Sequence, residues 1–215
     1  VAADQYMREQ TDDYLDLSAK DAAFQKNKAF VGIELVPNTR RLSLMNCLLH
    51  GMEGDAEGVV HLGNALGQTG AGLEKADVIL ANPPFSVKIT DPMALQHFSV
   101  AHGRGRVASD TLFLQAARDR LRPGGRLAVV LPRSILSNDS YSWLRSWLDV
   151  RFVRRAIISL PEGVFRPFGG TTARAAVVVL EKHPAPAHPF AVGIVEHPGY
   201  DPSRKTFKRT DNDDL

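Results

Sequence analysis

Residues 76–85 read Ala76-Asp77-Val78-Ile79-Leu80-Ala81-Asn82-Pro83-Pro84-Phe85. A short apolar run of strand type leads straight into Asn-Pro-Pro and an aromatic ring. Asn82 offers an amide oxygen that accepts hydrogen bonds. Two successive prolines fix two φ angles, remove two backbone donors and restrict the residues before them to extended conformations. The Asn82 side chain and the Pro83 carbonyl therefore form a rigid acceptor pair at a strand end, with Phe85 beside it as a stacking plate. A planar base drawn out of a helix needs such a plate. An exocyclic amine held by two acceptors has its nitrogen lone pair turned toward an incoming methyl group, so the tetrad reads as an amino-methylation site. A proline-stiffened turn with Phe85 in the core is the plain structural alternative.

Working outward, Ala29 to Leu35 is a second strand-type run carrying an acid, Glu34, near its end. Pro37 then sits at a helix start, Leu42, Met45, Leu48 and Leu49 follow at helical spacing, and Gly51 stops the helix. Val59 to Leu62 is another short strand, ending in Gly63-Asn64. After the tetrad come a long loop rich in His, Gly and Arg, a helix over Thr111–Leu121 and a buried strand over Arg126–Leu131. An amphipathic helix over Tyr141–Leu148 and a strand over Phe152–Leu160 follow. Ala173–Leu180 is the most hydrophobic strand, and its connection from the preceding one is too short for a helix, which predicts an antiparallel pair. The alternation predicts an α/β fold with a mostly parallel, doubly wound sheet and an antiparallel last strand. Ligands of such sheets bind beyond the carboxyl ends of the strands, where Glu34, Asn64 and Asn82 are expected to share one crevice. The expected organisation is a catalytic domain over 1–183 and a Pro- and charge-rich extension over 184–215.

The chain has 215 residues and a net charge of +2, so bulk charge does not announce a nucleic-acid partner. Its distribution does more: between Arg104 and Arg155 there are eleven Arg against four Asp. Such a half can follow a phosphate backbone or simply be a solvated surface. A single cysteine, Cys47, excludes an intramolecular disulfide and a multi-cysteine metal cluster. It lies in an apolar helical run and reads as core. No His spacing suggests a metal site. No window approaches the roughly 18 apolar residues of a membrane helix, and a cytoplasmic protein without membrane contact is the expectation.

The ordered set of segments resembles the DNA N6-adenine methyltransferases, most closely the modification subunit of type I restriction-modification systems. The resemblance runs from about Phe30 to Lys182. It is carried by Gly32-Ile33-Glu34-Leu35, by Met45-Asn46-Cys47-Leu48-Leu49-His50-Gly51 and by residues 76–85. Further on it includes Phe113-Leu114-Gln115, Leu121-Arg122-Pro123-Gly124-Gly125-Arg126, Val130-Leu131-Pro132, Leu160 to Phe165 and Thr171-Thr172, with a fainter echo in Gly199-Tyr200 and 211–215. It implies a Rossmann-like methyltransferase fold, S-adenosylmethionine as methyl donor and adenine in double-stranded DNA as acceptor. It also implies a specificity subunit, a second modification subunit and a restriction subunit as partners. By resemblance, Glu34 accepts from the cofactor ribose hydroxyls, and Asn64 stands where the family usually has an Asp facing the cofactor adenine. Asn82 and Pro83 take the target amine, Phe85 stacks on the flipped base, and Phe165 or Phe168 packs on its other side.

One family element has no counterpart. An Asp-Pro-x-x-Gly-x-Gly-like loop after the first strand would cradle the methionine end of the cofactor, and nothing before Ala29 resembles it. The expectation is a sheet without its first strand, and weak or absent cofactor binding by these residues alone. Two other function classes stay open at this point: an RNA guanine-amine or protein glutamine methyltransferase, and a catalytically dead DNA-binding or assembly subunit.

Overall fold

The computed structural model describes residues 1–85, 87–168, 172–183 and 189–214. The chain divides into two compact units, Val1–Leu73 and Glu74–Leu215. The expected extension 184–215 is not set apart in this division, because a strand at 191–194 joins the main sheet of the second unit.

The first unit holds helices α1 (Ala2–Gln10) and α2 (Ala19–Asn27), then β1 (Gly32–Glu34), α3 (Pro37–Leu49), β2 (Val60–Leu62) and the short α4 (Gln68–Gly72). Pro37 opens α3 at the position where a missing N–H costs nothing. Gly51, at φ 71°, closes it. The Gly51 N–H reaches the Leu48 carbonyl and the Met52 N–H that of Cys47, each at 3.0 Å, the paired bonds of a Schellman ending. β1 and β2 pair in parallel, with Glu34 opposite Leu62. Cys47, Met52 and Val59 form a small core with Val1, Phe30 and Val60 against it, as expected for Cys47.

Between α1 and α2 three non-glycine residues in succession, Asp12, Asp13 and Tyr14, have φ of 45°, 54° and 71°. A non-glycine residue in this region costs about 1–2 kcal/mol. The turn is held by buried Asp4, which accepts from the Tyr14 hydroxyl at 2.5 Å and from Arg8 Nε at 2.8 Å, while Arg8 Nη1 donates to Asp13 at 2.6 Å. Burial, and next the hydrogen bond to Asp4, push the Tyr14 phenol up to about 12. Because the folded state then holds this proton more tightly than the unfolded chain, the stability it contributes is complete below the ordinary tyrosine value near 10 and is lost as pH rises toward 12. Urea midpoints measured from pH 9 to 12 are expected to fall over that window. Tyr14→Phe should flatten this part of the slope; an equally steep fall in the variant would refute the assignment.

The second unit is built on a five-stranded sheet. Its strands are β3 (Ala76–Ala81), β6 (Leu121–Pro132), β8 (Ala175–Glu181), β7 (Val153–Ser159) and β9 (Ala191–Ile194), hydrogen-bonded in that order. The β3–β6 and β7–β9 pairs are parallel, whereas β8 runs antiparallel to both β6 and β7. Four strands thus point one way, and the antiparallel hydrophobic strand is as expected, although it lies inside the sheet rather than at its end and β9 follows it. The sheet's buried core includes Leu127, Val129, Leu131, Val178 and Leu180.

Helix α6 (Ser109–Arg120) joins this core and is deeply buried. Leu114, Gln115, Thr111 and Asp110 are shielded as well as Leu112 and Ala117. Buried Gln115 accepts from the Val100 N–H and the Ser99 hydroxyl, holding a 3-10 turn over Ser99–Ala101. Pro123-Gly124-Gly125 lies within β6, where the pairing jumps from Ala76–Leu121 to Val78–Arg126. The long loop after the tetrad is not structureless. It contains β4 (Lys88–Ile89), helix α5 (Pro92–Leu95) and β5 (Val107–Ala108), with β4 and β5 paired antiparallel. Helices α7 (Arg133–Ser137) and α8 (Ser142–Asp149) follow β6. The two segments of the faint resemblance pair with each other, as β10 (Pro198–Tyr200) and β11 (Arg209–Asp213). Among the described residues no helix is long and apolar enough to cross a membrane.

Candidate functional site

The tetrad occupies the carboxyl end of β3, as its sequence predicts. Pro83 is buried, Asn82 exposed and Phe85 half-buried. Buried Pro83 anchors the turn, and the Asn82 amide meets no hydrogen-bonding group among the described residues, which leaves its oxygen and nitrogen free for a ligand. Phe85 meets Phe165 edge to face, with ring centroids 6.0 Å apart and planes at 76°. Both rings rest on a cluster of Leu160, Val164, Ala175 and Val195. The Tyr200 hydroxyl donates to the Val164 carbonyl at 2.6 Å, which pins the segment bearing Phe165.

Phe168 is elsewhere. It is 64% exposed and packs at 5.4 Å on Tyr200 and 5.8 Å on Phe207. Of the two rings open on sequence grounds, Phe165 is the one placed against Phe85. Thr171, part of the resemblance, lies outside the described residues, as do Leu215 and residues 184–188.

Glu34 and Asn64 come together in the first unit. Each ends one of the two parallel strands, and the Gly63 N–H donates to the Glu34 carbonyl at 3.0 Å. Glu34 Oε1 accepts from the Val36 N–H at 2.7 Å, so the carboxylate is oriented by its own backbone while Oε2 stays available to a diol. Asn64 is exposed and its Oδ1 accepts from the Leu66 N–H at 2.9 Å. That bond fixes the amide, directing Nδ2 outward as a donor. A cofactor adenine would thus find a donor suited to a ring nitrogen, where the family's usual carboxylate offers only acceptors. This donor and acceptor set fits the ribose and base of S-adenosylmethionine.

Two glycines of this turn are more tightly packed than the sequence indicates. A Cβ on Gly63 would fall 2.2 Å from Thr69 Oγ1, and one on Gly70 would fall 2.0 Å from the Ala65 carbonyl oxygen. The Thr69 side chain fills the space at Gly63, and the backbone of Ala65 that at Gly70. Their order in the sequence carries no sign of this, since the approach depends on how α4 folds back.

The arginine-rich half is mostly engaged within the protein. Arg118 pairs with Asp119, Arg122 with Asp77, Arg154 with Asp149, and Arg126 and Arg155 with Glu181. The Arg155 guanidinium holds the Glu181 carboxyl below the usual range. Arg145 donates to the Ile135 and Asn138 carbonyls, and Arg104 lies 3.7 Å over the Trp143 ring. The sequence count of cations therefore overstates the charge available to a phosphate backbone. Among the described residues no group of three or more His, Cys, Asp or Glu side chains could hold a metal ion.

Comparison with known proteins identifies the family. The chain is 37% identical over 175 residues to the type I restriction enzyme EcoKI methylase subunit of Escherichia coli strain K12, a match covering 80% of this chain and 32% of that protein. It is 38% identical over 175 residues to the StySPI methylase subunit of Salmonella potsdam, with the same two coverages. The chain thus spans about a third of the length of these curated relatives. The crystal structure of the EcoKI M protein superposes with a TM-score of 0.70 at 33% identity, covering 89% of this chain and 40% of that one. A chain from a solved type I restriction-modification system shares the fold with a TM-score of 0.68 at 24% identity, covering 89% and 36%. The sequence model of the N-6 DNA Methylase family matches residues 2–210. With the tetrad at the end of its strand, the methyltransferase sheet around it and a family match over nearly the whole chain, this protein belongs to the N-6 DNA methylases.

Proposed function

We propose that this chain carries the target-base site and part of the cofactor site of an S-adenosylmethionine-dependent DNA adenine-N6 methyltransferase, the modification subunit of a type I restriction-modification system. The observation that carries the reading is the free Asn82 amide beside Pro83, at the end of β3, with Phe85 held edge-on by Phe165. In this reading the Asn82 oxygen and the Pro83 carbonyl accept the two hydrogens of the adenine amine, and Phe85 stacks on the flipped base. S-adenosylmethionine, when bound, supplies an electrophilic methyl group. Positioning and electrostatic stabilisation of the amine provide the catalysis, and no separate general base is required.

Glu34 and Asn64 would hold the cofactor's ribose and adenine. The working assembly would include double-stranded DNA, a second modification subunit, a specificity subunit that chooses the DNA sequence and a restriction subunit, all in the cytoplasm. The direct test incubates the full-length protein and its specificity subunit with labelled cofactor and duplex DNA, then digests the product. Label in N6-methyladenine supports the reading; label in guanine, in protein glutamine or nowhere overturns it.

The cofactor contact has its own test. Glu34→Ala removes a charged hydrogen-bonding group, worth about 1.5–3 kcal/mol. Calorimetric titration of the full-length protein should show cofactor affinity falling on the order of 10- to 100-fold. Unchanged affinity would remove Glu34 from the cofactor site.

A further inference from the structure

We infer that Ser109 is a positioning residue for the acceptor pair and stacking ring of the tetrad, an inference that rests on the proposed amine-methylation site and deepens it. The argument starts from the torsions between Asn82 and Phe85. The ring closes φ of Pro83 and φ of Pro84, and a following proline confines ψ of both Asn82 and Pro83 to extended values. The remaining soft torsion is ψ of Pro84. It alone sets the direction of the Pro84 carbonyl and, with it, the course of the chain into Phe85.

Ser109 holds that torsion. Its hydroxyl donates to the Pro84 carbonyl at 3.0 Å, and its N–H donates to the Val87 carbonyl at 2.7 Å. One residue thus grips the chain on both sides of Phe85. Ser109 is 2% exposed, so its hydroxyl is shielded, while the Pro84 end of the bond is exposed. A serine at a helix start ordinarily caps its own helix. The hydroxyl of this one, the first residue of α6, is committed instead to a residue 25 positions earlier. The bond also turns the Pro84 carbonyl toward Ser109, and in the proposed site it is Pro83's carbonyl that faces the amine together with Asn82. Phe165 fixes the ring from its edge, so hydroxyl and ring together set the angle between stacking plate and acceptors.

The test uses the full-length protein in its native assembly with duplex substrate, comparing wild type, Ser109→Ala and Ser109→Thr. Loss of the hydroxyl should lower kcat for N6-methyladenine formation about 10- to 100-fold, as misplacement at a reacting centre does. Cofactor affinity and the thermal midpoint should stay near wild type, and Ser109→Thr, which keeps a hydroxyl, should recover most of kcat. Wild-type kcat in Ser109→Ala overturns the inference. So does a parallel loss of kcat, cofactor affinity and thermal midpoint, which marks a structural role, or a Thr variant as slow as Ala. A wild-type protein that methylates another amine instead of adenine overturns the proposed substrate but not this inference, which is then read on that product.

Discussion

Asn82→Ala is expected to lower methyl transfer to adenine by on the order of 10²- to 10³-fold, the loss seen when one preorganised group aimed at developing charge is removed. The amide is exposed and makes no hydrogen bond to the described residues, so its removal orphans nothing in the fold. Thermal midpoint and cofactor affinity should therefore remain at wild-type values, confining the effect to kcat. Asn82→Asp separates two contributions: the carboxylate still accepts from the amine but no longer donates, and its rate should lie between those of wild type and Ala. Labelled-methyl incorporation followed by digestion to N6-methyladenine makes the measurement. An Asn82→Ala protein as active as wild type would mean that the tetrad is a turn and nothing more.

Asp4→Ala should have the largest effect on stability, destabilising the first unit by about 3 kcal/mol. Two costs combine. The buried Tyr14 hydroxyl loses its acceptor, and an unsatisfied buried group costs about 1–3 kcal/mol. Arg8 loses its better shielded carboxylate, and the exposed Asp13 is the carboxylate it keeps, a pair of the kind worth at most about 1 kcal/mol. With Asp4 gone, the left-handed turn at Asp12–Tyr14 is held against its strain by Arg8–Asp13 and its backbone hydrogen bonds alone. Urea denaturation, with hydrogen exchange to localise the loss to residues 1–73, is the measurement. A change below about 1 kcal/mol would show that the strain is held by something other than Asp4. Tyr14→Phe, which removes donor and hydroxyl together, should cost less than Asp4→Ala because it leaves Asp4 paired with Arg8.

Much of the candidate site was legible in the sequence because its signals are local. A strand that ends in Asn-Pro-Pro can be read without knowing its neighbours, since proline rings act on their own residue and the one before. Pro37 and Gly51 bounded α3 for the same reason. The acid at the end of β1 and the amide after β2 were found by position alone, and the structure puts them side by side. The arginine count, in contrast, left two readings open: charge along a chain does not reveal that Glu181, at the end of β8, is shared by Arg126 and Arg155. The tight packing at Gly63 and Gly70 was invisible, because a close approach by residues of another turn has no sequence signature.

By itself the sequence determined the Asn-Pro-Pro turn, the ring beside it and the type of element that carries each, all consequences of covalent geometry and short-range periodicity. The tertiary structure alone decided three matters. It inserted β8 between β6 and β7 and added β9 beyond them. It chose Phe165 over Phe168 as the partner of Phe85. It brought the Ser109 hydroxyl to the one torsion that two prolines leave open. Each depends on pairing or packing between residues far apart in the chain, and such contacts are selected by what a side chain meets after folding rather than by its neighbours in the sequence.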